Sequence, residues 1–163
     1  MRAISIFLVV APLFASSAVC LEVERKIEVP GIPAEIWKIA GEFCSIETWH
    51  PLVRDCEQTK DGEAIVRTLT ALNGAVVKER LLHSDQTSYS YVTLESPLPV
   101  EKLTAKLWLE GRSPNQTIIH WDAKFDVKGA TDEEAIRKIG KILTSGLKKL
   151  RSIASAKMEA GGN

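Results

Sequence analysis

Three groups in this chain could do chemistry, a carboxylate, a guanidinium and an imidazole set among apolar residues: Glu79, Arg67 and His50. Glu79 alternates with Val77 and Leu81, so a strand that buries those two also buries the carboxylate, where an unpaired charge is costly to keep. Arg67, or Arg25 on the otherwise apolar face of the first strand, can pair with it as a structural ion pair. If it is accessible, the same carboxylate can orient a ligand or move a proton. A register slip of one residue would turn Glu79 to solvent and remove both roles. His50 is followed by Pro51, which fixes the chain beside it. In a cavity wall its imidazole orients a carboxylate or transfers protons near neutral pH; on a surface turn it only packs against Trp49.

Around these stand aromatic rings with a polar edge: Trp49, Tyr89, Tyr91, Trp108 and Trp121. Such rings wall a pocket for an apolar ligand bearing a few oxygens, and equally serve as ordinary core. Tyr89 and Tyr91 share one strand face, while His120 alternates with Trp121 and is expected to point outward. The ligand-binding candidates are therefore Trp49, His50, Arg67, Glu79, Tyr89, Tyr91, Trp108 and Trp121. No nucleophile elbow, phosphate loop or metal-ligand spacing occurs, so no cofactor or metal is called for and no catalytic residue is singled out.

The elements that must position these groups are legible in the hydropathy pattern. Leu21, Val23, Ile27 and Val29 alternate with charged residues, the period of a half-buried strand. Pro30-Gly31-Ile32-Pro33 ends that strand and opens a helix carrying Ile36, Trp37, Ile39, Ala40 and Phe43, and a short helix spans Ile46 to His50. Six strands are predicted next: Arg54 to Lys60, Ala64 to Ala71, Ala75 to Ser84, Thr87 to Glu95, Leu103 to Arg112 and Gln116 to Val127. The separators between them are short and rich in turn formers, which predicts an antiparallel meander. A capping box, Thr131 and Glu134, opens a last amphipathic helix to Ala156, with Ile136, Ile139, Ile142, Leu143, Leu147, Leu150 and Ile153 on one face. A long helix arriving after the sheet is complete has the concave face of that sheet to bury against, an arrangement that leaves room for a small molecule.

The chain has 163 residues, enough for one domain. Met1-Arg2, the apolar Ile4 to Phe14 and the small residues Ala15-Ser16-Ser17-Ala18 read as a signal peptide over residues 1–18, cleaved after Ala18. The uncharged Ala3 to Leu21 run is also long enough for an uncleaved anchor, but Pro12 and the short basic flank favour cleavage. Ser17 and Val19 do not suit lipidation at Cys20. The mature domain then covers residues 19–157, with 158–163 a flexible tail, and is secreted or periplasmic with no stable membrane insertion. The oligomeric state stays open. With 21 basic and 21 acidic residues there is no surplus to neutralise phosphates, which argues against nucleic acid as a partner. In an exported protein Cys44 and Cys56 invite a disulfide; two buried free thiols are the other reading.

Strand, two short helices, six strands and a long helix make an α+β helix-grip plan, a curved seven-stranded antiparallel sheet wrapped around the last helix. Trp49-His50-Pro51, Arg67-Thr68-Leu69, Val77-Lys78-Glu79-Arg80-Leu81, Ser90-Tyr91, Pro97-Leu98-Pro99 and His120-Trp121, in that order, resemble the polyketide cyclase/dehydrase branch of the SRPBCC, START-like (Bet v 1-like) superfamily. The branch includes the plant abscisic-acid receptors. Their ligand-holding lysine falls at His50 here, and their Glu-Arg-Leu strand matches Glu79-Arg80-Leu81, which implies a pocket-facing Glu79. Their gate and latch loops are replaced by Ala71-Leu72-Asn73-Gly74-Ala75 and Leu98-Pro99-Val100, which argues against a hormone-gated switch. The resemblance implies a protein that binds a small apolar, lipid-like or polyketide-like ligand, and the leader read at residues 1–18 makes it an exported one. The alternative it implies is a cyclase or aromatase using Glu79 or His50 as acid-base group.

Overall fold

The computed structural model describes residues 20–161; the signal-peptide reading lies outside the described residues. The first strand, β1 (Leu21–Pro30), is followed by α1 (Pro33–Ala40) and α2 (Ile46–Trp49). Six further strands follow, β2 (Val53–Asp61), β3 (Ala64–Ala71), β4 (Val76–Ser84), β5 (Ser88–Glu95), β6 (Val100–Ser113) and β7 (Gln116–Val127), and then α3 (Asp132–Gly161). All seven strands form one antiparallel sheet in the order β1-β7-β6-β5-β4-β3-β2. The meander from β2 to β7 is the consequence of its short turns, such as the one at Asn73-Gly74, where Gly74 takes a φ of +83° that residues with a Cβ rarely adopt.

The inner face of the sheet is set by alternation. On β7, Ile119, Trp121, Ala123 and Phe125 point in; on β6, Leu103, Ala105, Leu107 and Leu109 do. The helix α3 lies across this face, closest to β1, with Ile139, Leu143, Leu147 and Leu150 buried beneath it. Its start is the capping box read from the sequence: Glu134 N donates to Thr131 Oγ1 at 3.3 Å and Thr131 N to Glu134 Oε2 at 3.1 Å. Two glycines let it approach. A Cβ at Gly146 would stand 2.6 Å from His50 Cδ2 and 2.8 Å from Trp121 Cζ3, and one at Gly140 would collide with the guanidinium of Arg25. The helix runs on to Gly161 rather than stopping at Ala156. No helix among the described residues is long and apolar enough to cross a membrane.

A disulfide joins Cys44, in the segment between α1 and α2, to Cys56 on β2, with the Cα atoms 5.5 Å apart. Glu47 adds a second tie by accepting the Cys56 N–H at 2.9 Å. Together they hold the helical segment against the edge strand of the sheet.

Candidate ligand-binding site

Arg67 and Glu79 are directly opposite each other on β3 and β4 and point into the grip. Arg67 Nε donates to Glu79 Oε2 at 2.7 Å, and Nη2 lies 2.7 Å from the same oxygen but off its N–H directions, an ionic contact without an aligned hydrogen bond. Arg67 Nη1 donates to the Phe43 carbonyl, and the Phe43 ring covers the guanidinium with its centroid 3.9 Å from Cζ. The guanidinium is thus caged by the segment that the disulfide anchors. Burial works against its charge; Glu79 and the tyrosines more than offset this and hold its pKa above the ordinary arginine value. Arg25 takes no part: its Nη1 donates to the Glu24 carbonyl.

The two members of the pair are not equivalent. The Arg67 side chain has no exposure, whereas Glu79 retains 8 %, and no protein group among the described residues donates to Glu79 Oε1. Arg67 therefore pins one carboxylate oxygen and leaves the other at the edge of solvent. Two residues along from the pair, toward the β3–β4 turn, Leu69 is buried and Val77 partly buried, and Leu98 in the turn between β5 and β6 is partly buried as well. The β3–β4 turn and the Ser96–Pro99 turn stand at this same end of the sheet.

Behind the pair the grip is filled by rings. Trp49, Trp121, Tyr91, Phe43 and Tyr89 meet in tilted or edge-to-face contacts with centroids 5.6–6.1 Å apart. Trp121 Nε1 donates to Tyr91 Oη at 3.1 Å and Trp49 Nε1 to Ser45 Oγ at 3.2 Å, so both indoles have spent their polar edge. The Tyr89 hydroxyl is fully buried and makes no aligned hydrogen bond, its polar neighbour being the Arg67 guanidinium. Burial raises both phenols' pKa, and Glu79 adds to the rise at Tyr91. The room expected beneath the helix is thus taken up by aromatic side chains. Hollows lie elsewhere on the molecule, one of about 330 Å³ beside Pro99 and the start of α3 and one of about 300 Å³ where α1, β1 and the end of α3 meet.

His50 is neither a surface residue nor a free acid-base group. Its Nδ1 accepts the Leu52 N–H at 3.2 Å, which leaves the proton on Nε2, 3.2 Å from the Ile142 carbonyl of α3. Both nitrogens are engaged. Burial lowers its pKa from 6.5 to about 4 against the upward pull of the Ile142 bond, with Arg67 lowering it further. His50 is a neutral staple between α2 and α3.

Trp108 does not belong to the site. It stands opposite His120 in the β6–β7 register, on the outer face, stacked on that imidazole at 3.7 Å with Nε1 donating to Asp122 Oδ2 at 2.8 Å. Inward places on β6 are held by Leu107 and Leu109, and alternation sends Trp108 out. Arg67, Glu79, Tyr89, Tyr91 and Trp121 are brought together, with Trp49 behind them. Phe43 and Gly146 were missed. A glycine inside an amphipathic helix, beside its apolar stripe, is the signal that marked Gly146; nothing local marked Phe43 as the cap on an arginine.

The family model for polyketide cyclase / dehydrase and lipid transport proteins matches residues 21–154. Among solved structures, the Bacillus cereus protein XoxI is 27% identical over 82% of this chain and 94% of its own, with a TM-score of 0.77. The Zhui aromatase/cyclase from Streptomyces sp. R1128 is 15% identical, covering 89% of this chain and 99% of its own at a TM-score of 0.72. A START superfamily protein from Mycobacterium smegmatis is 14% identical over 83% and 97%, at 0.70. At that identity the last two are alike in fold alone. No curated protein matches the chain. With a helix-grip fold and a family match over nearly all of its described residues, the chain belongs to the polyketide cyclase / dehydrase and lipid transport family.

Proposed function

We propose that this protein binds a small, largely apolar molecule carrying a hydrogen-bond donor, at a mouth of the grip between the β3–β4 turn and the Ser96–Pro99 turn, and does so after export. The observation that carries the reading is Glu79: one oxygen is fixed by Arg67, the other is unclaimed by protein donors, and Leu69, Val77 and Leu98 make the approach to it apolar. A hydroxyl on an apolar body suits that geometry, with burial of the body supplying most of the binding free energy and Oε1 the orientation. The filled interior means that side chains along the mouth, such as the partly exposed Leu98, move aside as the guest enters. Export is supported by the leader-like residues 1–18 and by the Cys44–Cys56 disulfide, a bond of oxidising compartments. The cyclase alternative, prompted by the fold of the aromatase/cyclase, is left with Glu79 alone, since His50 has no free nitrogen.

The test compares 2-naphthol with naphthalene. The protein should prefer the hydroxylated ring by tenfold or more, the usual order for a hydrogen bond to a charged group. The paired replacement Arg67→Met with Glu79→Leu, which leaves no lone buried charge, should keep naphthalene binding and lose the preference. Equal binding of both compounds by the unmodified protein overturns the role of Glu79. Export is checked by sequencing the N-terminus of protein taken from its host, expected at Val19; Met1 contradicts it.

A further inference from the structure

One of the two hollows lies at the opposite end of the sheet from the proposed mouth, where β1 ends beside the β6–β7 turn: Pro30 pairs with Gln116, whereas that mouth is by the other ends of β6 and β7, where Val100 pairs with Val127. It has a volume of about 300 Å³ and a floor made by Ile36, Ile39 and Ala154, all core residues of α1 and α3. Ile32 and Met158, two of the large exposed apolar side chains of the molecule, stand on its rim. Its far wall exists because α3 continues past Ala156 and places Lys157 and Met158 alongside α1.

The polar groups of the groove are unequal in a useful way. Glu35 is held by Lys38, with Nζ 2.6 Å from Oε1. Lys157 has no ion-pair partner among the described residues, and the Asn115 side chain makes no hydrogen bond there. The apolar trough is therefore lined by one lysine without an ion-pair partner and one amide without a side-chain hydrogen bond among the described residues. The geometry points to a second binding site, separate from Glu79, for a single-chain alkyl carboxylate whose tail lies over Ile36, Ile39 and Ala154 and whose head meets Lys157 and Asn115. This site does not depend on the reading of Glu79.

The experiment is an amide-resolved NMR titration of the purified protein with decanoate at submicellar concentration, with decanol and hexanoate in parallel. Decanoate should shift the amides of Gly31, Ile32 and Ala154 saturably, with hexanoate weaker. Lys157→Glu, an exposed substitution that leaves the fold intact, should weaken decanoate about fivefold, the order of an exposed ion pair, and leave decanol unchanged. Non-saturable shifts overturn the proposal. So do shifts centred on Glu79 and Tyr91, which would assign the compound to the mouth, and so does equal decanoate affinity in Lys157→Glu.

Discussion

His50 carries the clearest consequence at the scale of a residue. Its pKa falls from 6.5 in the unfolded chain to about 4 in the fold, so between those values the unfolded chain takes up a proton that the folded one refuses. Stability contributed by the neutral, buried imidazole is whole above pH 6.5 and is lost as pH falls toward 4, about 3 kcal/mol in all. Denaturant titrations at pH 7 and pH 4.5 should show that loss, and His50→Gln should flatten it. Tyr89 makes the opposite case. Its buried hydroxyl has no aligned hydrogen bond and only the Arg67 guanidinium beside it, so Tyr89→Phe should change stability by less than about 1 kcal/mol in chemical denaturation. A loss of that size would mean the hydroxyl is partnered after all. The alternation Val77, Glu79, Leu81 was enough to place Glu79 inward in the sequence. Trp108 was misplaced because tryptophan is large and apolar, although facing His120 across the hairpin puts it outside with that residue.

Elements explain why these residues stay where they are. Ala64–Ala71 and Gln116–Val127 were legible to the residue, since alternation and turn formers bracket them, whereas β6 begins at Val100, three residues before its apolar alternation becomes regular. The covalent tie between the α1–α2 segment and β2 could not be read from spacing, because it depends on how the segment lies against the edge strand. It also carries Phe43 onto Arg67. Closing a loop of 12 residues stabilises by about 3 kcal/mol in the chain-entropy model, so Cys44→Ala with Cys56→Ala should lower the denaturation free energy by that order. Gly146 is the matching point on α3. Alanine normally favours a helix over glycine by about 1 kcal/mol, yet here its Cβ would press on His50 and Trp121, and Gly146→Ala should lower the melting temperature.

Across the whole molecule, the grip of a curved sheet on a terminal helix follows from element order and was readable before any coordinate. The extent to which the grip is filled was not. It depends on how five aromatic rings tilt against each other, which no local pattern encodes. The buried pair at their edge sets a limit on mutation. Glu79→Ala strands the Arg67 guanidinium and should cost about 3–5 kcal/mol, while Arg67→Met with Glu79→Leu should recover most of it, as calorimetry of the three proteins would reveal. The measurement that reaches furthest is native mass spectrometry of the protein purified from its own host. The account predicts a retained small guest that is absent when Leu98→Trp closes the mouth. A protein that is always empty, or a guest held equally by that variant, contradicts binding at Glu79.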